Sequence, residues 1–206
     1  MRSGLFDILD NAVKTVFTPA VAARPSPAEG REEPDLTDEE RRRAIALMRV
    51  NHCGEVCAQA LYQAQALFAR DPQVVAELQE ASEQEIDHLA WTAERVHELG
   101  GRESRLNPLW YAGSFLIGTA AAIVSDKVSL GFVAETERQV SDHLKSHLDR
   151  LPEGDEKSRS IVRQMDIDET EHAEHATELG GEELPGPVKG MMRAAGRVMT
   201  TASYWV

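Results

Sequence analysis

A glutamate and a histidine stand three positions apart in Gln84-Glu85-Ile86-Asp87-His88, and the pair returns at Glu169 and His172. On a helix, residues so spaced project from one face, so each pair can reach one point. One candidate carboxylate stands about thirty residues upstream of each pair: Glu55 before the first and Glu137 before the second. The pattern describes two copies of one unit. It constrains the fold because the neighbours on each face are apolar. Glu137 shares its face with Val133, Val140 and Leu144, and Glu169 with Met165, His172, Ala173 and Ala176. Glu55 lies with Met48, Ala58 and Tyr62, plus the polar Asn51 and Gln59. Carboxylates on core faces are costly to bury unless they are paired or bind a cation. Glu135, beside Gly131, Arg138, Gln139 and Asp142, reads as exposed.

The motif alone is not specific, since a third Glu-x-x-His occurs at Glu94 and His97. Nine residues at about 100° each leave Glu94 a net half turn from Glu85, facing away, so this is a surface pair. Few aromatics and abundant Ala, Leu and Glu favour helix over sheet. The net charge of −13 argues against a nucleic-acid surface but is neutral toward cation binding. Cys53 and Cys57 have no further thiol or His ligands at zinc spacing and read as small core residues. The first apolar stretch is broken by Asp7, Asp10 and Lys14, unlike a secretory signal.

Along the chain, residues 2–17 form an amphipathic helix suited to docking on the body or touching a membrane. Residues 18–36, rich in Pro, Ala, Arg and Glu, read as a flexible linker, so residues 1–36 stand apart from a body at 37–206. Thr37-Asp38-Glu39-Glu40 has the form of a capping box and opens a helix to about Arg70. Asp71-Pro72 restarts the chain into a second helix ending at Gly100-Gly101. Leu106 to Ser125 carries no charge, but Asn107, Pro108, Gly113 and Gly118 dilute it. It reads as a buried or membrane-facing crossover helix rather than a bilayer span. A third long helix runs from Asp126 to about Leu151, and a fourth over 155–179. After Pro185-Gly186-Pro187 comes a helix with an apolar stripe (Val188, Met191, Met192, Ala195, Val198, Met199) and Lys189, Arg193 and Arg197 on another face. No acidic residue follows Glu183, and a basic amphipathic tail on an acidic chain is a mark of contact with anionic lipid; packing of the stripe against the body is the alternative.

Glu, Glu-x-x-His, Glu, Glu-x-x-His over four long helices is the ferritin-like arrangement for two metal ions. The expected fold is therefore all-α: a ferritin-like four-helix bundle with a di-iron site, a long apolar crossover, and amphipathic helices at both ends. Four carboxylates and two neutral imidazoles carry a formal −4, which balances two divalent ions. Mixed oxygen and nitrogen donors suit iron or manganese. Asp168, just before Glu169, can orient His88 through its ring N–H; the matching position in the first half is Gln84, so the symmetry is imperfect.

Three runs carry a family resemblance: Leu47-Met48-Arg49-Val50-Asn51-His52-Cys53-Gly54-Glu55-Val56 with Ala60-Leu61-Tyr62-Gln63, Asn107-Pro108-Leu109-Trp110-Tyr111-Ala112-Gly113, and Gly131-Phe132-Val133-Ala134-Glu135-Thr136-Glu137. Over about residues 37–206 the chain resembles the demethoxyubiquinone hydroxylase family, bacterial type. The resemblance implies a di-iron monooxygenase of ubiquinone biosynthesis that uses O2 to hydroxylate 2-polyprenyl-3-methyl-6-methoxy-1,4-benzoquinol at ring position 5. It implies Glu55, Glu85 and His88 on one iron and Glu137, Glu169 and His172 on the other. His143 falls where the family often has a His near the centre, a weak candidate for substrate or proton handling, with a surface histidine as the alternative. A peripheral place on the cytoplasmic side of the inner membrane is expected, with contact through the crossover and basic tail and with partner proteins of the same pathway. The rival reading is a ferritin- or rubrerythrin-like protein that stores iron or reduces peroxide. Against it stand the basic tail and the lack of a four-cysteine rubredoxin module. A membrane-surface scaffold with merely solvated acidic helices is a further alternative.

Overall fold

The computed structural model describes residues 5–32 and 35–206. Residues 2–4 of the expected first helix and Glu33-Pro34 of the expected linker lie outside the described residues. The described residues form seven helices and no strand: α1 (Leu5–Phe17), α2 (Asp38–Phe68), α3 (Pro72–Glu98), α4 (Asn107–Val124), α5 (Asp126–Leu148), α6 (Glu156–Glu178) and α7 (Gly186–Trp205). The fold is all-α, as the sequence pattern requires.

Capping chemistry sets the boundaries. Thr37 Oγ1 accepts from the Glu40 amide (3.3 Å), while the Glu40 carboxylate accepts from the Thr37 amide (2.9 Å), a reciprocal box that satisfies two otherwise unpaired donors. Asp71, Ser125 and Asp155 cap α3, α5 and α6 through their side-chain oxygens. Gly100 and Gly180 take positive φ just past α3 and α6, where a side chain would be strained.

The long helices pair as α2 with α3 and α5 with α6, and α4 crosses between the pairs against α2. That approach is close: a Cβ at Gly118 would lie 2.9 Å from the Leu61 carbonyl oxygen. Asp126 accepts from the Arg70 and Asp71 amides, tying the α2–α3 turn to the start of α5. At the other end, the buried Arg95 of α3 binds Asp155 (2.9 Å) and Ser158 (2.9 Å) at the head of α6. One apolar cluster (Leu47, Met48, Trp91, Leu144, Ile161, Met165) fills this end, and a second (Tyr62, Leu78, Leu130, Val133) fills the other. The polar cluster described below is built from residues interleaved with both.

Two expectations change. The described residues of 18–36 are not a free linker: Ala28 and Leu36 are buried in the core, and Arg24 is ion-paired to two buried aspartates. The Pro- and charge-rich composition concealed a segment that supplies a counter-charge to the bundle. Glu135 is buried rather than exposed, because α7 lies over it and places Lys189 Nζ 3.2 Å from its carboxylate. The apolar stripe of α7 is split: Val188, Met192 and Met199 are half-buried, while Met191 and Val198 face outward.

Candidate metal centre

Each of the four long helices delivers one carboxylate to the bundle interior: Glu55 from α2, Glu85 from α3, Glu137 from α5 and Glu169 from α6. All four are at most 2% exposed, and His88 and His172 are buried among them. Glu85 and Glu169 each lie between the two imidazoles. The Glu85 oxygens stand 3.0 Å from His88 Nδ1 and 3.1 Å from His172 Nδ1; those of Glu169 stand 3.3 Å from each. Glu55 lies on the His88 side, 3.7 Å from Nδ1. Glu55, Glu85, His88 and Glu169 have one donor atom each within 4.8 Å of one another. Glu137 is set slightly apart; one oxygen accepts from the Tyr62 hydroxyl (2.7 Å) and the other is buried without a partner.

The outer edges of the imidazoles decide what the inner edges need. His88 Nε2 lies 2.8 Å from Asp168 Oδ2, and His172 Nε2 lies 2.9 Å from Gln84 Oε1. Both partners accept, so both Nε2 atoms carry hydrogen and both Nδ1 atoms turn inward. A bare Nδ1 lone pair at 3.0–3.3 Å from carboxylate oxygens is repelled. A cation must lie there, either a proton on each ring or a metal ion. The expected orientation of His88 by Asp168 is present, and Gln84 plays the same part for His172. The two halves thus match in geometry and differ in charge.

The titration behaviour follows. Burial opposes charge on His88, but Glu85 and the bond to Asp168 hold its pKa well above the ordinary value. His172, similarly opposed by burial and favoured by Glu169 and Glu85, is pushed up to about 11. Burial alone would raise Glu85; its imidazole neighbours, His88 first, more than reverse this and hold it well below the usual carboxylate range. Burial and the Glu85 charge push Glu55 well up, and burial with the Glu169 charge does the same to Glu137. The metal-free cluster therefore holds protons where cations belong. Converging carboxylates, inward imidazole nitrogens and an unpartnered Glu137 oxygen make a mixed oxygen and nitrogen donor set that could hold a metal ion of the harder transition series.

The other sequence candidates lie elsewhere. His97 pairs with Glu103 (3.3 Å) at the surface, and Glu94 is exposed, as their phase requires. The His143 ring packs on that of His147, centroids 4.0 Å apart, in the second half of α5. Cys53 and Cys57 are free thiols, Cys53 buried against the Ser203 hydroxyl. The sequence pattern does not single out Tyr62 or Arg24 as site residues. Tyr62 was visible in principle, seven residues after Glu55 and so on the same helical face. Arg24 had no local signal.

Comparison with known proteins adds three findings. Residues 42–203 match the family described as "Ubiquinone biosynthesis protein COQ7". Relatives named 3-demethoxyubiquinol 3-hydroxylase include one from Azoarcus sp. (strain BH72), 58% identical over 96% of this chain and 96% of its own. Others are from Nitrosospira multiformis, 57% identical over 96% and 95%, and Chromobacterium violaceum, 54% identical over the whole of both chains. Among solved structures, a dodecameric thioferritin, the bacterioferritin-related protein from Bacteroides fragilis, is similar in fold with a TM-score of 0.56. It is 18% identical and covers 67% of this chain and 84% of its own, which establishes a ferritin-like bundle and no more.

Proposed function

The chain belongs to the COQ7 family of ubiquinone biosynthesis proteins, and from that premise we propose that it is a non-haem di-iron monooxygenase that hydroxylates 2-polyprenyl-3-methyl-6-methoxy-1,4-benzoquinol at ring position 5. That ring keeps a single C–H, so position 5 is the carbon to which the relatives' name refers in ubiquinone numbering. The observation that carries the proposal is the pair of inward-facing Nδ1 atoms ringed by four buried carboxylates. Relatives at 54–58% identity favour the hydroxylase over an iron-storage or peroxide-reducing role, since the ferritin-like neighbour shares only the fold.

Glu55, Glu85, His88, Glu137, Glu169 and His172 would hold the two irons, with Glu55 on the His88 side and Glu85 and Glu169 each facing both imidazoles. A bound di-iron pair supplies reductive activation of O2, one oxygen atom entering the ring and the other leaving as water, with two electrons from an external donor. The protein's part is positioning and exclusion. Asp168 and Gln84 fix both imidazoles in the tautomer that offers Nδ1. Tyr62, whose pKa is raised by burial and the Glu137 charge, stays a neutral donor that holds one Glu137 oxygen. The apolar walls keep water from competing at the centre.

The substrate's isoprenoid tail requires an apolar approach. No described helix is long and apolar enough to cross a membrane. However, α4 turns Leu109, Leu116, Ile117, Ile123 and Val124 outward, and α1, packed beside it, turns out Phe6, Leu9, Val13 and Phe17. These faces, together with Met191, Val198 and Trp205 on the basic α7, support peripheral contact with the cytoplasmic side of the inner membrane. A role beside other enzymes of the pathway belongs to the same reading. The test is direct: iron-loaded protein, the demethoxy quinol, O2 and a reductant should yield a quinol heavier by one oxygen atom. Unchanged quinol alongside rapid peroxide consumption would favour the rival role.

A further inference from the structure

We infer that residues 20–28 form a strap whose Arg24 is a positioning residue for the proposed metal ligand His88, acting through Asp168. The inference rests on the metal-centre reading. Asp87 and Asp168, one on α3 and one on α6, are both nearly inaccessible to solvent. Arg24 bridges them, its Nε donating to Asp87 Oδ2 (2.6 Å) and its Nη2 to Asp168 Oδ2 (2.8 Å). The strap's backbone joins in: the Ala23 and Arg24 amides donate to Asp87 Oδ1 at 2.6 and 3.3 Å. The guanidinium lies over the Trp91 ring, 4.9 Å from its centroid, and Trp91 Nε1 donates back to the Arg24 carbonyl (3.4 Å). Trp91 in turn packs against His88, ring centroids 5.5 Å apart.

Asp168 is thereby fully engaged. Its Oδ2 accepts from Arg24 and from His88 Nε2, and its Oδ1 accepts from Gln164 (2.8 Å). Removing Arg24 leaves two buried carboxylates without their shared cation, so Asp168 has reason to rotate toward solvent and leave His88 Nε2 unheld. A planar guanidinium can serve both carboxylates from different nitrogens; an ammonium is a single point charge. Among the described residues the second half of the centre has no such device, since His172 is held by the neutral Gln84. Loss of Arg24 therefore strikes one metal position and spares the other.

Cobalt(II) loaded into the full-length protein is the probe. In Arg24→Ala one of the two cobalt equivalents should pass to a chelator about 10- to 100-fold faster, the range typical when a partner behind a metal ligand is lost. The other equivalent should keep its wild-type rate. In the metal-free protein, a broad-specificity protease should cut within residues 18–32 faster than in wild type. Glu32→Ala, an exposed change in the same segment but outside the strap, serves as the control. If Arg24→Ala does not fold, Arg24→Lys decides: faster release of one equivalent from folded protein supports the strap, and wild-type release overturns it. Equal acceleration of both equivalents, or unchanged release with unchanged cleavage, also overturns it. Wild-type protein that takes up no cobalt overturns the metal-centre reading, and with it the inference. Wild-type uptake followed by an unaltered Arg24 variant overturns the inference alone.

Discussion

Glu85 faces both imidazoles at about hydrogen-bond distance, so its removal affects both halves of the centre. Glu85→Ala should abolish stable loading of two metal ions while leaving a folded bundle; a di-iron spectrum that survives the change would contradict the site. Asp168→Ala should weaken metal retention about 10- to 100-fold, read as metal content after dialysis. Unaltered content and turnover would dispose of its orienting role. The pH dependence has a definite sign. Glu55, Glu137, His88 and His172 all have folded pKa values raised above their ordinary ones. Stability tied to such groups is fully present below the unfolded pKa and is lost as pH rises through the folded one. For His172 that window runs from 6.5 to about 11. The metal-free protein should therefore lose thermal stability through the alkaline range. Bound metal requires these groups deprotonated, so metal uptake should release protons and tighten as pH rises. Melting temperatures with and without metal across that window check this, and a gap that narrows with rising pH would contradict it.

At the scale of elements, α4 depends on its close seat against α2. Gly118→Ala puts a Cβ 2.9 Å from the Leu61 carbonyl, which is backbone and cannot yield freely. Overpacking of this kind costs about 1–3 kcal/mol. Gly113→Ala, with nothing within 4 Å, should cost far less, and thermal melts of the two variants separate the cases. The helices themselves were legible in the chain, because Thr37/Glu40, Asp71-Pro72, Ser125 and Asp155 carry their capping chemistry in local spacing. The inward phase of Glu55, Glu85, Glu137 and Glu169 was legible for the same reason: helical periodicity is a local property. What was not legible depended on contacts distant in sequence. Glu135 read as exposed because its cover, Lys189 of α7, lies 54 positions on. The strap read as a linker because Arg24 finds Asp87 and Asp168 only after α3 and α6 have packed. Gln84 looked like a break in symmetry because composition distinguishes an amide from a carboxylate, whereas either can accept from an imidazole N–H.

For the whole molecule, a strongly acidic chain ends in a helix whose described charges are basic, and it turns apolar side chains outward on α1, α4 and α7. Deleting residues 188–206 should lower binding to liposomes containing anionic lipid, measured by flotation; full retention would count against a membrane role for α7. Rising salt should weaken the wild-type interaction, because the basic contribution is screened while apolar insertion is not. The buried cluster and these surfaces have a common rationale only if the centre binds metal and the substrate arrives with a lipid-like tail. The cluster is the part on which everything else rests. Anaerobic titration of the metal-free full chain with ferrous ion, followed by Mössbauer spectroscopy, tests it most directly. Four inward carboxylates and two imidazoles should saturate at about two irons per chain; saturation at one, or no uptake, would overturn the di-iron centre.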